Sequence, residues 1–298
     1  SWRKHLSPAV NAATTYFWLS PDWQDDFQAV WRAVAARFRD NSGVAGYDIY
    51  NEPHPLPIPP RLFEEHWMWP LYARSITSIG SVDPNHLFIV EGTLFGNFGT
   101  TIVHLEAPQL VYSPHLYTGS LVPPDFNGDR GPLTDKLRDE AAEAAAVPAA
   151  FWSGELGIDR TKPQAAGWAD AALDAYDDLG VGWAWWQWRE SRSWGVRDEN
   201  GIIDTAFLRH LARPYVRAAP SGVRGGRGDG MKGTLRIDVD ANHGDAEVDI
   251  AWPGMTLPAP ALTGSCVTAS SWSADTATLS ITLASGRGCA IQLTTTPA

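Results

Sequence analysis

Over most of the chain, apolar positions alternate between two periods. Between Trp23 and Arg39, the residues Phe27, Val30, Trp31, Val34, Ala35 and Phe38 recur at helical spacing and predict an amphipathic helix. Asn41-Ser42-Gly43 stops it, and the run Val44 to Tyr50 predicts a strand. A second helix is predicted from Arg61 to Ile79. Asp83-Pro84-Asn85 then turns the chain into a strand from His86 to Glu91. A strand at Leu110 to His115, an Ala/Glu-rich helix from Thr134 to Ala146 and a strand at Ala149 to Glu155 follow. A helix from Gln164 to Leu179, a strand from Val181 to Trp186 and a helix around Ala206 to Leu211 complete five βα units. That succession predicts the α/β class, with a parallel sheet and helices outside it. Continuous apolar strands suit the interior of a (β/α) barrel.

After Pro220 the pattern changes. Residues 221–233 are Gly-rich and read as a linker. From Thr234 onward the alternation is strand-like, as in Leu235-Arg236-Ile237-Asp238-Val239 and Thr278-Leu279-Ser280-Ile281-Thr282-Leu283, which predicts a small β-sandwich. The expected domains are therefore a catalytic barrel at 1–220 and a sandwich at 234–298, joined by that linker.

Charge narrows the partners. With 23 basic and 34 acidic residues the net charge is −11, which argues against nucleic acid and gives no basis for docking on anionic membranes. No apolar run reaches 18 residues, so no transmembrane helix is expected. The 15 Trp are expected mostly in packing, yet indoles also stack on the flat C–H faces of sugars. Cys266 and Cys289 fit a disulfide across neighbouring strands in an oxidising compartment, with two buried thiols as the other possibility. A secreted or extracellular location is expected on that basis. The chain opens Ser1-Trp2-Arg3-Lys4 with neither Met nor signal peptide, so an export signal is expected upstream.

In parallel barrels the chemistry sits at the C-terminal ends of the strands. Here those ends carry Glu52, Glu91, His115, Glu155 and Trp186. Two carboxylates facing each other across a pocket are the equipment for cleaving a glycosidic bond. Glu52 is the expected acid/base and Glu155 the expected nucleophile, against blander roles as a surface cap and a salt-bridged Glu. Asn51 is expected to bond a sugar 2-hydroxyl. Tyr117 is expected to donate to Glu155, and His115 to contact substrate, unless the two form a satisfied buried pair. Trp186 is expected to floor the sugar subsite. Glu91 is assigned a hydrogen-bonding role, on the substrate side or within the structure. The two-His helical motif of metalloproteases is absent, and neither a metal nor another cofactor is expected.

At these residues the chain resembles glycoside hydrolase family five, the (β/α)₈ retaining glycosidases. The matching pieces are Tyr50-Asn51-Glu52-Pro53, His115-Leu116-Tyr117, Gly154-Glu155 and Trp183-Ala184-Trp185-Trp186. The resemblance spans about residues 14–218. It is closest to the endoglycoceramidase group through Phe17-Trp18, Trp31 to Phe38, Gly46-Tyr47-Asp48, Tyr112-Ser113-Pro114-His115 and Arg213-Pro214-Tyr215. It implies release of glycans from ceramide glycolipids by a retaining mechanism without a metal. It also implies that the first three βα units are lacking, together with the sugar-binding Arg and His that they carry in the family. An N-terminally truncated sequence is the economical explanation. The alternatives within the same chemistry are an endoglucanase, a mannanase or a β-glucosidase. The alternative of another class is an inactive or sugar-binding fragment.

Overall fold

The computed structural model describes residues 7–54, 58–94, 105–147, 149–190, 193–241 and 246–295. The Ser1 to Lys4 start lies outside them. The chain forms two compact units. One holds Ser1–Thr118 with Asp135–Leu156, and the other holds Gly119–Thr134 with Gly157–Ala298.

The first unit opens with α1 (Pro8–Leu19), which the apolar pattern did not reveal, and α2 (Pro21–Phe38). On α2 the buried stripe is narrower than expected. Ala35 is buried and Phe27, Trp31 and Val34 are half-buried, whereas Val30 and Phe38 are exposed. Strand β1 (Gly46–Asp48) follows, then α3 (Pro60–Phe63), one π-helical turn at Glu64–Met68, and α4 (Trp69–Gly80). The single helix expected from Arg61 to Ile79 is thus interrupted. Pro70 has no N–H, and its ring would meet the carbonyl four residues back in a regular helix; a wider turn just before it relieves both problems. That turn buries Glu64, whose Oε1 accepts from Thr93 Oγ1 at 3.2 Å.

Strands β2 (Leu87–Val90), β3 (Leu110–Tyr112), β4 (His115–Leu116) and β5 (Ala150–Leu156) join β1 in a parallel sheet of order β1-β2-β3-β5-β4. The strand expected at Leu110 to His115 is split into β3 and β4, because Pro114 cannot donate to the ladder. Helix α5 (Gly131–Ala146) precedes β5. The core joins Trp18, Ala35, Tyr47, Phe63, Trp69, Tyr72, Ile76, Ile79, Phe88 and Val90, so sheet and helices share one apolar layer. The turn before β2 is pinned by Asp83, fully buried, which accepts from Tyr47 Oη at 2.5 Å and lies 2.6 Å from His86 Nδ1.

The second unit contains α6 (Ala165–Leu179), β6 (Gly182–Trp185) and α7 (Thr205–Leu211), all near their expected places. Two four-stranded antiparallel sheets follow. One has the order β12-β13-β10-β7 and the other β11-β14-β9-β8. Their strands are β7 (Tyr215–Ala218), β8 (Val223–Gly225), β9 (Thr234–Val239), β10 (Ala246–Ala251), β11 (Pro260–Thr263), β12 (Val267–Ser273), β13 (Thr278–Leu283) and β14 (Cys289–Thr295). Alternate residues Leu235, Ile237, Val248, Ile250, Leu279, Ile281, Ile291 and Leu293 meet in one core around Trp252.

The expected linker is packed structure. β8 lies inside residues 221–233 and pairs with β9, and β7, expected in the barrel, pairs with β10. The glycines there serve close approach rather than flexibility. A Cβ on Gly228 would lie 2.0 Å from the Pro214 carbonyl oxygen, closer than any side chain could sit. Cys266 and Cys289 are joined in a disulfide. It links β14 of one sheet to the segment entering β12 of the other, rather than neighbouring strands.

Because that disulfide closes a loop of 23 residues, converting both Cys266 and Cys289 to Ser is expected to destabilise this β region by about 3 kcal/mol. Urea unfolding followed by Trp fluorescence, with and without reductant, measures the loss.

Candidate active site

The site is built where β1 ends. Ile49 continues the ladder by donating to the Ile89 carbonyl at 3.1 Å. Trp31 Nε1 donates to the Ile49 carbonyl at 3.1 Å, and Tyr72 Oη donates to the Tyr50 carbonyl at 3.0 Å. The Tyr50 ring packs on Phe17 and Trp18 at centroid distances of 5.6 and 5.0 Å. So anchored, the backbone turns sharply at Glu52, whose φ of 45° lies in the left-handed region. A side-chain-bearing residue there carries strain of the order of 1 kcal/mol, which the surroundings must hold in place. Glu91, at the end of β2 and buried, does so by accepting the Glu52 N–H on Oε2 at 2.8 Å.

Across the sheet, His115 on β4 lies in register with Glu155 on β5. Side chains on one face of paired strands sit about 5 Å apart. Gly154 permits the packing behind them, since a Cβ there would lie 2.5 Å from Ser113 Oγ and 3.3 Å from His115 Nε2. His115 Nδ1 is then 2.9 Å from Glu52 Oε1 and 3.5 Å from Glu155 Oε2, and Nε2 is 3.3 Å from Glu91 Oε1. Tyr117 Oη donates to Glu155 Oε2 at 2.6 Å.

The electrostatics follow from this crowding. Burial works against a charge on His115, but its bonds to Glu52 and Glu91 outweigh that and raise its pKa to about 10. With both ring nitrogens facing carboxylates, both act as donors and the ring is an imidazolium at neutral pH. Burial raises Glu155, while the His115 charge and the Tyr117 hydrogen bond pull it back. Glu91 is raised by burial and pulled back by His115. Burial and the Glu155 charge hold the Tyr117 phenol protonated.

The structure therefore brings Glu52, Glu91, His115, Tyr117 and Glu155 together. The Glu52 and Glu155 side chains keep 27% and 17% of their surface open, whereas His115 keeps 3%. His115 thus lies among the three carboxylates, with its ring nitrogens directed at them. Asn51 is exposed beside Glu52. Trp186 belongs to the second unit, where it follows β6 and is partly exposed. One ligand atom each from Glu52, His115 and Glu155 lie within 4.8 Å of one another, close enough for a metal ion to reach geometrically. In this structure His115 bonds Glu52, and Glu155 accepts from Tyr117. The pattern of polar strand ends did not reveal Glu140 on α5, which is buried beneath this cluster with Leu137, Ala144 and Val147. Helical spacing could have found it, because Leu137, Glu140, Ala144 and Val147 share one face.

The cellulase family model, glycosyl hydrolase family 5, matches residues 11–192. Among solved structures, endo-glycoceramidase II from Rhodococcus sp., in its ganglioside GM3 complex, is 21% identical with a TM-score of 0.78; the match covers 98% of this chain and 69% of that one. An endogalactoceramidase crystal structure is 25% identical with a TM-score of 0.76, covering 97% of this chain and 66% of that chain. A curated β-xylosidase from Phanerodontia chrysosporium is 35% identical over 81 residues, which is 27% of this chain. The chain spans only 16% of the length of that relative. The structural likenesses place the βα part with TIM-barrel glycosidase folds.

Two outcomes test the electrostatics. Tyr117→Phe removes a donor to the ionised Glu155, so the Glu155 pKa is expected to rise; carboxyl ¹³C NMR across pH reads it. His115 carries a folded-state pKa of about 10, above its ordinary 6.5. Its stabilising contribution is complete below pH 6.5 and is lost as pH rises toward 10. Urea midpoints are therefore expected to fall over that window, and to fall less in His115→Asn.

Proposed function

We propose that this chain, which belongs to glycosyl hydrolase family 5, carries the dyad of a retaining β-glycosidase that hydrolyses O-glycosyl bonds of glycosphingolipids. The observation that carries the retaining reading is the spacing of the carboxylates. An oxygen of Glu52 and an oxygen of Glu155 lie within 4.8 Å. Retaining enzymes hold the two carboxyl groups about 5–5.5 Å apart, whereas inverting enzymes need about 6.5–9.5 Å to admit a water.

In this mechanism Glu155 attacks the anomeric carbon as Glu52 protonates the departing oxygen. The glycosyl group passes to the Glu155 carboxylate. Glu52, now ionised, takes a proton from water, and that water releases the sugar with net retention. His115 keeps the two carboxylates close by offsetting their repulsion. Tyr117 fixes the carboxylate of Glu155 through Oε2. Asn51, next to the acid/base in sequence, is assigned to meet the sugar 2-hydroxyl.

The glycolipid reading is supported by the fold likeness to endo-glycoceramidase II, solved in complex with ganglioside GM3, and to endogalactoceramidase. The disulfide supports an oxidising, extracellular setting. A second reading, hydrolysis of soluble β-glucans, is favoured by the cellulase family model.

The test uses the chain as it stands and any longer chain that contains it. Glycosylceramide turnover is expected, with the first-formed product keeping its anomeric configuration by NMR. Glu155→Ala is expected to lose about 10⁴-fold or more in kcat, and Glu52→Ala about 10²–10⁴-fold. Inversion at the anomeric carbon would sink the mechanism. Cleavage of soluble β-glucan but not glycolipid would replace the substrate assignment. Sugar binding without turnover would leave a binding module.

A further inference from the structure

Behind the two carboxylates lies a small polar cavity, lined in part by Glu52, Glu91, Tyr112, His115, Lys136 and Glu140. Its volume is about 20 Å³, room for about one water molecule. Glu140 reaches it from α5 and is 1% exposed. Neither of its carboxyl oxygens has a hydrogen-bond partner among the described residues, and Glu91 Oε1, buried on the other side, has only the 3.3 Å approach of His115 Nε2. Buried oxygens of this kind are satisfied in folded proteins by protein groups or by ordered water. Lys136 Nζ, one turn back on the same helix, is 3.6 Å from Glu140 Oε1 and supplies a donor at the same place.

We propose that this cavity is a water-binding site through which Glu140 acts as a positioning residue, coupled to the Glu91–His115–Glu52 chain. The water donates to the Glu140 and Glu91 oxygens and so joins α5 to the carboxylate that holds the strained Glu52 turn. The charged and titratable groups around Glu140 are Lys136 and Glu143 on α5, Tyr112 on β3, His115 on β4, Glu91 after β2 and Glu52 after β1. Tyr112 Oη donates to Glu143 Oε2 at 2.7 Å, which orients that neighbour. Burial raises the Glu140 pKa to about 8, with the Lys136 charge opposing. Above that pH it adds a negative charge near His115 and favours the imidazolium.

The role rests on reading Glu52 as the acid/base. The test follows a titration rather than turnover, so the two ideas fail separately. Side-chain ¹⁵N NMR of His115 is followed across pH in the wild-type chain and in Glu140→Gln. The variant loses a carboxylate at nearly constant shape, and His115 is expected to release its proton at a pH lower by about half a unit or more. In the wild type, a long-lived water is expected to give cross-peaks to the ring protons of His115 and Tyr112. An unchanged His115 curve in folded Glu140→Gln, or a cavity without such water, overturns the proposal. If Glu140→Gln does not fold, Glu140→Met, which also removes the carboxylate, is read in its place, with the same direction of shift expected. If neither folds, Glu140 supports the fold alone and the proposal fails.

Discussion

One buried cation holds the candidate site together. Glu52, Glu91 and Glu155 all lie within 3.5 Å of the His115 ring nitrogens. Three carboxylates at that separation repel one another, and in a partly desolvated place the repulsion is poorly screened. A neutral imidazole could donate to only one of them. The imidazolium donates from both nitrogens and lowers the field that all three feel. Removing that charge would force protons onto the carboxylates or drive them apart.

The scaffold exists to deliver those groups to one place. The parallel register sets His115 opposite Glu155, and Gly154 leaves the room that His115 and Ser113 require. On the other side, Trp31, Tyr72 and the Phe17–Trp18 pair fix the chain up to Tyr50, so that the strained turn falls at Glu52. Tyr72 reaches this position because α4 restarts cleanly after the π-turn imposed before Pro70. Tyr72 also accepts the Glu91 N–H at 3.3 Å, so one phenol ties both strand ends together. Local sequence, helix packing and site geometry are thus linked through a few named side chains.

Much of this was legible in the sequence. The strands carrying Glu52, Glu91, His115 and Glu155 appear as apolar runs ended by polar residues, and the helices between them follow from 3.6-residue spacing. Other features were hidden for identifiable reasons. The α1 helix has no clear apolar stripe, with Trp18 its sole buried residue. Pro70 falls in the middle of the helix expected from Arg61 to Ile79, and only the folded chain shows the wider turn just before it that accommodates the ring. Residues 221–233 look flexible by composition, because composition cannot tell a glycine that frees the backbone from one that admits a neighbouring carbonyl. Glu140 sits in an Ala/Glu-rich helix whose other carboxylates suggest a solvated face.

The sequence by itself determined the α/β class, the order of the elements and the residues at the strand ends, because periodicity and turn chemistry are local properties of the chain. The tertiary structure decided what those residues do to one another. It set His115 between carboxylates, and it put Glu91 under the Glu52 amide. It also turned the expected linker into a sheet strand and made Glu140 a buried acid facing the same cluster. Charge, hydration and pKa depend on which groups meet across tens of residues, and only folding brings those groups together.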